Sequence, residues 1–419
     1  MLILAPRAAG PGNAYHRRMT DAHPILIVGG GLVGASLAIA LDAAGRDAIL
    51  VEASAPQPPK PAAPGDRNLA LARATVNGLN AIGVWAYARA TATAITDIHV
   101  TRAGDFGSVR LSARAAGLDA MGWTLPAPAL GAALASRLDR CTRLQRLAPA
   151  RLEALQHQDD AWLARLATPE GTRDVRAALL VGADGTDSFV RASLGIGTDD
   201  IDYQQSLFVA TAMPARAHQM RAFERFTDDG PVAILPLAQG RVGIIVTVAA
   251  DDADLIQAMD DDDFCAEVQR RFGWRLGKLT RPGPRFRHDI RRVAASRIVG
   301  SRAVLVGNAA QTIHPIGAQG FNLGLRDALT LAELAAPAAD PGAAGLLAAY
   351  AERRKADREA TMAMSHGLAS LACLPEPALG PLRSLAMLAM GAPPLRAAMT
   401  VRGMGLREGA PIAVREGQA

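Results

Sequence analysis

The chain has 419 residues, of which 50% are hydrophobic and 20% are charged, and this length predicts two or three domains rather than one core. The formal net charge is +5, but no arginine-rich block is interleaved with aromatic residues, which argues against a nucleic-acid-binding surface. Cys141, Cys265 and Cys373 are far apart, which argues against a disulfide framework or a metal site and indicates a reducing compartment.

The N-terminal segment, residues 1–21, does not have the pattern of a secretory signal. Its apolar run is short and no cleavage-type region follows it. We expect a disordered extension or an incorrectly assigned start, with Met19 as the alternative to Met1. The following stretch, residues 22–41, carries no formal charge, but a glycine cluster interrupts it, so it predicts a strand, a turn and a helix rather than a membrane span.

The first chemical motif follows the aliphatic run at residues 25–28. Gly29, Gly31 and Gly34 form a G-x-G-x-x-G pattern, a helix is predicted to follow, and a second apolar run ends at Glu52. Glycines in this pattern allow a tight turn and the approach of a pyrophosphate, and the acid can bind a ribose diol. A carboxylate at Glu52 would repel a 2′-phosphate, so the pattern predicts FAD or NAD rather than NADP.

The middle of the chain contains a second buried run that ends in a polar turn. A proline- and alanine-rich loop is predicted at residues 53–65, and by spacing alone Arg67 after it is a solvated surface charge. The run at residues 179–182 precedes Asp184 and Gly185, but such turns are common after strands. From about residue 201 to 281 antiparallel strands are predicted, with Trp274 as a core residue, which indicates a substrate-side domain of α+β type.

A third buried run, residues 303–306, ends at Gly307. A loop with His314 and Pro315 follows, and then a helix is predicted from about Asn322, after Gly317 and Gly320. Such glycines let a backbone approach a ligand, and a helix N-terminus suits a pyrophosphate or a ring that becomes negatively charged on reduction. An ordinary strand-loop-helix connection explains the same pattern.

The C-terminal part is predicted to be helical through about residue 367. Two later apolar stretches, at residues 368–374 and 385–390, are too short to span a bilayer. Methionines and arginines alternate here, so the region is either a helical cap on the core, which we favour, or a surface that contacts lipid or an apolar partner.

The three glycine-bearing strand ends resemble, in order and spacing, the fingerprints of flavin-dependent aromatic hydroxylases of the p-hydroxybenzoate hydroxylase fold, over residues 22–365. Further motifs resemble the ubiquinone-biosynthesis hydroxylases, in particular the 2-polyprenyl-6-methoxyphenol hydroxylase branch. These motifs lie at residues 66–71, 202–205, 230–237, 272–276 and 307–315.

The resemblance implies an α/β fold with a Rossmann-like FAD-binding domain, an inserted α+β substrate domain and a helical C-terminus. The implied FAD-binding domain is discontinuous, at residues 22–95, 118–198 and 286–345. The implied substrate domain comprises residues 96–117 and 199–285, and the C-terminal helical region comprises residues 346–419.

The resemblance also assigns site residues. His314 and Pro315 would lie beside the flavin ring, with no general base assigned, because a histidine bonded to the backbone is as good an explanation as a base. No metal is implied. The implied FAD-binding residues are Gly29, Gly31, Gly34, Glu52, Arg67, Asp184, Gly307, Asn308, Gly317, Gln319, Gly320, Phe321 and Asn322.

The chain departs from the family pattern at several of these positions. Asn308 and Gln311 replace the usual Asp and His, and Gly317 precedes Ala318 where the family has the reverse order, which moves the left-handed position by one. A polar residue that usually contacts FAD is missing around residues 126–130. We expect altered affinity for FAD but not its loss.

The implied activity is hydroxylation of a polyprenylated methoxyphenol in ubiquinone biosynthesis, with O₂, through a flavin hydroperoxide. No second dinucleotide motif is present in the sequence, so NAD(P)H or another reduced donor would act as a co-substrate. The expected location is the cytoplasm, with peripheral contact at the inner membrane and with other enzymes of the pathway. The alternatives are a related monooxygenase of a soluble aromatic or isoprenoid compound, and a non-catalytic flavin-holding scaffold.

Overall fold

A computed structural model describes residues 23–56, 67–371, 380–406 and 410–415. The predicted N-terminal extension, residues 1–21, and most of the predicted loop at 53–65 lie outside these ranges. Within them, no helix combines the length and the apolar character that crossing a bilayer requires.

The strands, in chain order, are β1 Ile25–Val28, β2 Ala48–Val51, β3 Asn68–Ala72, β4 Thr93–Ile95, β5 Asp97–Arg102, β6 Val109–Ser112, β7 Gly122–Pro126, β8 Leu144–Leu147, β9 Arg151–His157, β10 Trp162–Thr168, β11 Gly171–Ala177, β12 Leu179–Gly182, β13 Thr198–Pro214, β14 Arg221–Phe226, β15 Val232–Pro236, β16 Val242–Ala249, β17 Leu279–Thr280, β18 Phe286–Ala295, β19 Val299–Gly300, β20 Ala303–Leu305 and β21 Gln311–Thr312. The α-helices are α1 Leu32–Ala43, α2 Arg73–Ala81, α3 Trp85–Ala88, α4 Ala127–Leu138, α5 Phe189–Ser193, α6 Ala253–Ala258, α7 Asp261–Phe272, α8 Gln319–Ala335, α9 Ala344–Leu371, α10 Gly380–Met390, α11 Pro393–Gly403 and α12 Ile412–Arg415.

The first part of the fold is a six-stranded sheet in the order β19–β20–β12–β1–β2–β8. All neighbouring pairs are parallel except β19 and β20. Strands β1, β2, β12 and β20 are buried along their whole length, as expected for continuous aliphatic runs in a parallel sheet covered on both faces. The carboxyl ends of β1, β12 and β20 are neighbours at one edge, so the three predicted glycine turns start side by side.

The second part is a large sheet in the order β21–β18–β13–β16–β15–β14–β5–β6, with β17 paired to β13. Its pairs are antiparallel except β14 with β5. The sheet includes β18, although the sequence analysis assigned residues from 286 onward to the FAD-binding domain. The division into domains remains a prediction. Strand β18 pairs with β13, which belongs to the predicted substrate domain.

The two faces of the large sheet have different covers. One face packs against α6 and α7 around Phe208, Phe223 and Phe272. The other face, which we call the inner face, carries a cluster of Ala222, Leu235, Ile98 and Ile245 together with Ala70 of β3 and Ile95 of β4. Strand β3 belongs to a small antiparallel sheet, β3–β7–β4, so the inner face is turned toward the first part of the fold.

The prediction that Trp274 is a core residue was wrong. Trp274 is 66% exposed, because Gly273 with φ of +85° ends α7 and directs the chain away from the core that Phe272 occupies. The predicted helical region after residue 327 consists of two helices, α8 and α9, which are separated by a segment with Pro337 and Pro341, since proline cannot continue a helix interior.

The C-terminal helices α10 and α11 pack on β6 through a methionine-rich cluster. Met387 and Met404 are buried there with Val109, Leu111 and Met121. The favoured prediction of a helical cap is therefore confirmed for the side of α10 and α11 that packs on β6. The predicted apolar stretch at 368–374 lies mostly outside the described residues.

Candidate active site

The first glycine turn is packed so tightly that two of its glycines leave no room for a side chain. Gly29 has a φ of +107°, and a Cβ atom there would lie 2.3 Å from the carbonyl oxygen of Ala183. A Cβ atom on Gly34, in the first turn of α1, would lie 1.9 Å from the carbonyl oxygen of Gly29. Both positions therefore need glycine for the backbone path and for helix packing.

Gly31, the middle glycine, needs a different explanation. It is the N-cap of α1 with an ordinary φ of −63°, and a Cβ atom there would have no described atom within 4 Å. No described side chain caps this helix start, so the first N–H groups of α1 remain available for an anion. Open space in front of a helix N-terminus fits a pyrophosphate group.

Glu52 lies at the end of β2 beside the same turn. Its Oε2 atom accepts a hydrogen bond from the backbone N–H of Gly30 at 2.8 Å, and Oε1 accepts one from the N–H of Ser54 at 2.8 Å. These contacts hold the carboxylate next to the glycine turn, while each oxygen keeps further lone pairs for a ribose hydroxyl. The arrangement supports the predicted role of Glu52, which remains a prediction.

The second turn, after β12, uses its aspartate to build the turn itself. Asp184 Oδ1 accepts a hydrogen bond from Ser188 Oγ at 2.5 Å, and Oδ2 accepts one from the N–H of Val190 at 3.0 Å. The next residue, Gly185, has φ of +86°, and no described atom lies within 4 Å of the position of a Cβ atom. This turn therefore leaves space on its open side.

The third turn packs directly on α1. Gly307 has φ of +59°, and a Cβ atom there would lie 3.1 Å from the side chain of Val33. A Cβ atom on Gly324 of α8 would lie 2.7 Å from the same valine. The second and third turns are also joined, because Arg191 donates hydrogen bonds to the carbonyl oxygens of Ala309 at 3.0 Å and Thr186 at 2.8 Å. The three turns therefore converge around the start of α1.

A buried carboxylate that the sequence analysis did not assign fixes the third turn. Asp327 is fully buried and accepts hydrogen bonds from the N–H of Gly307 at 3.1 Å, from Gln311 Nε2 at 2.7 Å and from Arg354 Nε at 2.7 Å. Gln311, which replaces the usual family histidine, is thus a donor to this carboxylate.

The network continues on α9. Asp357 pairs with Arg326 at 2.7 Å and with Arg354 at 2.8 Å, and Arg358 Nε donates to Gln311 Oε1 at 2.6 Å. Burial would raise the pKa of the Asp357 carboxyl, but the two arginines outweigh it and lower the pKa to about 2. The spacing of Arg354, Asp357 and Arg358 by three and four residues was the available sequence signal, since it places them on one helix face.

The loop histidine is fully engaged by protein groups. His314 is 1% exposed, its Nδ1 accepts a hydrogen bond from the N–H of Ile316 at 3.2 Å, and its Nε2 lies 3.2 Å from Gln205 Oε1. The Tyr203 ring packs edge-on against it with a centroid distance of 4.8 Å. Because Nδ1 accepts and Nε2 faces an acceptor, the geometry fits a neutral ring with its proton on Nε2, and it leaves no free lone pair for a proton from a substrate.

We expect the ring of His314 not to titrate between pH 5 and 8. Burial, with a smaller contribution from His366, lowers its pKa to about 4. Since this lies below the usual value, the stability that the neutral ring provides is complete above pH 6.5 and is lost as the pH falls toward 4. NMR of histidine-labelled protein, with His314→Gln to assign the signal, checks this expectation, and a midpoint near 6.5 would contradict it.

The loop between this histidine and α8 adopts left-handed backbone at two consecutive residues. Gly317 has φ of +73° and Ala318 has φ of +51°, so the left-handed position does not simply move by one, as the sequence analysis expected. An L-residue in this conformation costs roughly 1–2 kcal/mol. Gln319 Nε2 donates to the carbonyl oxygen of Gly317 at 3.0 Å, and Gly320 has no described atom within 4 Å of a Cβ position.

Asn322 connects this loop to the neighbouring sheet. Its Oδ1 accepts hydrogen bonds from the N–H of Ala72 at 3.0 Å and from Thr75 Oγ1 at 2.6 Å. Its Nδ2 donates to the carbonyl oxygens of Ala70 at 3.1 Å and Ala318 at 2.8 Å. Protein groups therefore occupy the whole side-chain amide, so its predicted contact with FAD could come only from the backbone of α8.

The remaining predicted residues lie around the rim. Arg67 is exposed. Burial of His288 on β18 and, to a smaller extent, the charge of Arg67 lower the pKa of that histidine, so Arg67 lies near the large sheet. Asn308 is exposed, Pro315 is half-buried, and the half-buried Phe321 packs against the main core. The structure thus brings the three glycine turns together, and the roles of the individual residues remain predictions.

The residues at these turns are compatible with bound FAD. The open positions at Gly31, Gly185, Gly317 and Gly320 would each be filled by a side chain if they were not glycine, and all four belong to the predicted turns or to the loop before α8. The helix N-termini of α1 and α8 supply N–H donors for a pyrophosphate and for a ring that gains negative charge.

Comparison with known proteins decides the family. Residues 22–365 match the family model described as an FAD binding domain. The ubiquinone hydroxylase UbiL of Rhodospirillum rubrum is 37% identical over 370 residues, which is 87% of this chain and 85% of that protein. The chain belongs to the FAD-dependent ubiquinone hydroxylase family.

Other members of this family and other solved structures agree with the assignment. The 3-demethoxyubiquinol 3-hydroxylase of Escherichia coli is 31% identical over 338 residues, 80% of this chain and 85% of that protein. The p-nitrophenol 4-monooxygenase PnpA of Pseudomonas putida covers 95% of this chain and 99% of its own, with a TM-score of 0.75 and 18% identity, a likeness that shows the fold. Family membership confirms the predicted p-hydroxybenzoate hydroxylase-like fold, the FAD cofactor and the hydroxylase class.

Proposed function

We propose that this hydroxylase adds oxygen to the ring of a polyprenylated methoxyphenol during ubiquinone biosynthesis, with O₂ and a reduced donor such as NAD(P)H. Two similar proteins, a ubiquinone hydroxylase and a 3-demethoxyubiquinol 3-hydroxylase, support the substrate class. The structural observation that carries the proposal is the apolar cluster on the inner face of the large sheet, which packs against β3. Asn322, in the first turn of α8, donates a hydrogen bond to the same strand.

Each part of the site has a separate task in this proposal. When bound, FAD supplies the activation of O₂. The N-terminus of α8 stabilises negative charge at the reduced ring, and the neutral, buried His314 holds the loop in shape rather than moving a proton. On the inner face of the large sheet, the apolar cluster of Ala222, Leu235 and Ile245 keeps water from one side of the aromatic substrate.

Complementation of a strain blocked at this ring hydroxylation, with analysis of its quinones, tests the proposal. Restored ubiquinone with the hydroxylated intermediate is the expected result. Oxygen uptake with a soluble aromatic compound but no complementation would favour the related monooxygenase, and FAD that neither NADH nor NADPH reduces, with or without substrate, would favour the non-catalytic scaffold.

A polyprenyl substrate resides in a bilayer, and we propose that α10 and α11 contact the membrane surface. Leu382 and Leu385 are 65% and 64% exposed, and Leu388 and Leu395 are also exposed, although the opposite side of these helices packs on the methionine-rich cluster. Arginines at positions 396 and 402 are close in sequence and would favour an anionic surface.

The double variant Leu382→Glu/Leu385→Glu is expected to lower binding to phosphatidylglycerol-containing vesicles by at least about tenfold, since burying one leucine contributes roughly 1.5–3 kcal/mol. Sedimentation with the vesicles measures the effect. Leu255→Glu is a matched control, because Leu255 of α6 is 63% exposed on another surface. Equal binding of the double variant and the control variant would contradict a membrane contact through α10.

A further inference from the structure

The inner face of the large sheet carries one carboxyl group among apolar neighbours. Glu224 lies in β14, directly opposite Val100 of β5 and Ala233 of β15. Ala233 in turn lies opposite Ile245 of β16. Since residues paired across strands share a face, Glu224 lies in one cross-strand row with these three apolar side chains.

Alternation along β14 confirms the direction in which this carboxyl points. The residues on either side of Glu224 face α7, because the ring of Phe223 packs edge-on against Phe272 at 5.3 Å and Arg225 Nε donates to the carbonyl oxygen of Arg271 at 3.0 Å. Two residues before Glu224, Ala222 packs on the inner face. Glu224 therefore points away from α7, to the inner face of the large sheet.

The inner face at this point is connected through β3 to the start of α8. Ala222 belongs to one cluster with Ala70 of β3, whose carbonyl oxygen accepts a hydrogen bond from Asn322 of α8. On β16, which pairs with β15, a Cβ atom on Gly243 would lie 3.5 Å from the side chain of Asn68 of β3. The row of Glu224 is therefore next to the row of Ala222. That row packs on β3, and β3 accepts a hydrogen bond from Asn322 in the first turn of α8.

Within the part of the chain that the structure describes, Glu224 has no partner. No described side chain forms a hydrogen bond or an ion pair with it, although it is half-buried. Burial raises the pKa of its carboxyl to about 7. A half-buried carboxyl without a partner costs stability, and such groups are characteristic of functional sites.

The charged groups around Glu224 are directed elsewhere or bound to one another. On its own strand Arg221 and Arg225 alternate to the other face, as does His99 of β5, which packs against Phe223. Strands β15, β16, β3, β4 and β7 contribute no charged residue.

On the inner face the nearest charged residue along β5 is Arg102. It pairs with Asp228 at 2.6 Å and with Asp105 at 3.3 Å, and Arg383 of α10 pairs with the same Asp105 at 2.9 Å. This separate group of charges leaves the Glu224 carboxyl for a ligand.

We propose that Glu224 is a catalytic residue that binds the phenol hydroxyl of the substrate and takes its proton; this inference rests on the proposed function. The phenol O–H bond breaks, the proton moves to the Glu224 carboxylate, and the electron pair stays on the phenolate oxygen. The electron-rich ring then attacks the activated oxygen more readily. The new C–O bond forms as the O–O bond of the activated oxygen breaks, and the ring carbon loses its proton to the oxygen that departs. The carboxylic acid then returns its proton to the phenolate oxygen, so that Glu224 is ready for another cycle.

The environment of Glu224 suits this proton transfer. A phenol has a pKa of about 10, and an ordinary glutamate one of about 4.3, a gap of about 6 pH units. A carboxyl with a pKa of about 7 narrows that gap to about 3. Bases whose pKa lies near the working pH are the most effective general bases.

Glu224→Gln in the FAD-loaded enzyme is expected to lower the kcat for hydroxylation of a short-chain prenylated methoxyphenol about 100-fold, with KM changed less than threefold. The rise of kcat with pH near 7 should disappear, and Glu224→Asp should restore part of the activity. Glu153→Gln is the control, because Glu153 of β9 is exposed on another sheet. A kcat within twofold of wild type, with the same pH dependence, would overturn the proposal.

A second measurement does not depend on turnover. The raised pKa means that ionisation of Glu224 destabilises the fold, increasingly as the pH rises from about 4.5 to 7. Glu224→Gln should therefore have a higher Tm than wild type at pH 8, and the difference should vanish near pH 4.5. Equal Tm values at pH 8 would show an ordinary exposed carboxyl and would overturn the proposal.

Binding separates failure of this inference from failure of the proposed function. Binding of either compound is measured by the change in flavin absorbance. In wild type, the phenol should cause this change at a concentration at least tenfold lower than the methyl ether of that phenol does. Glu224→Leu should lose this preference for the phenol. If wild type shows the preference but forms no hydroxylated product, the proposed function fails and the Glu224 contact stands. If Glu224→Leu keeps the preference, the inference fails whatever the enzyme produces.

Discussion

Replacing Gly31 with valine is expected to give a folded protein that is colourless. Gly31 has an ordinary backbone conformation and no described neighbour at its Cβ position, so the fold should tolerate the side chain. The valine would occupy the space in front of the α1 N-terminus, where a pyrophosphate is expected. We expect the affinity for FAD to fall by about 100-fold or more, equivalent to roughly 3 kcal/mol.

Two matched variants separate this effect from a general loss of structure. Gly345→Val introduces the same side chain at an exposed position of α9 with open space around it, and it should keep FAD. Gly34→Val would force a Cβ atom to 1.9 Å from the carbonyl oxygen of Gly29 and should fail to fold. Circular dichroism and titration with FAD measure fold and affinity. Normal FAD affinity in Gly31→Val would contradict a pyrophosphate at α1.

Replacing Asp327 with asparagine is expected to destabilise the protein by about 3–5 kcal/mol, because it leaves a buried arginine without its full countercharge. Arg354 is 1% exposed and lies 2.7 Å from this carboxylate. The same carboxylate accepts the N–H of Gly307, so we also expect weaker binding of FAD through the third glycine turn. This loss is a large share of typical domain stability, about 5–15 kcal/mol.

The midpoint of urea unfolding, measured with saturating FAD, reports the stability change. Asp174→Asn removes one member of an exposed pair with Arg165 and should cost no more than about 1 kcal/mol. If the unfolding midpoints of Asp327→Asn and Asp174→Asn differ equally little from that of wild type, the buried network does not support the turn.

The local patterns in the sequence predicted the positions of the three turns well. The aliphatic run at Ile25–Val28 is buried on both faces as predicted, and the glycines at positions 29 and 34 have the packing contacts that their pattern implies. These features could be predicted because they depend on neighbours in the chain. The convergence of the turns follows from the observed strand order, in which the carboxyl ends of β1, β12 and β20 are neighbours.

Long-range contacts could not be read from the sequence. Asn322 was predicted to bind FAD, but its amide is occupied by β3 and α2, about 250 residues away. The network of Asp327 and Arg354 joins two helices separated by a loop. The sequence around Glu224 likewise does not show that its carboxyl has no described partner. Such contacts depend on which elements meet, and one sequence does not contain that information.

The most direct test of the central claim is the flavin content of the purified wild-type protein. We expect one FAD per chain, released on denaturation, with a flavin spectrum that Gly31→Val lacks and Gly345→Val retains. A wild-type protein that is purified without flavin, and that cannot be loaded with FAD, would contradict the claim that the three glycine turns hold one cofactor.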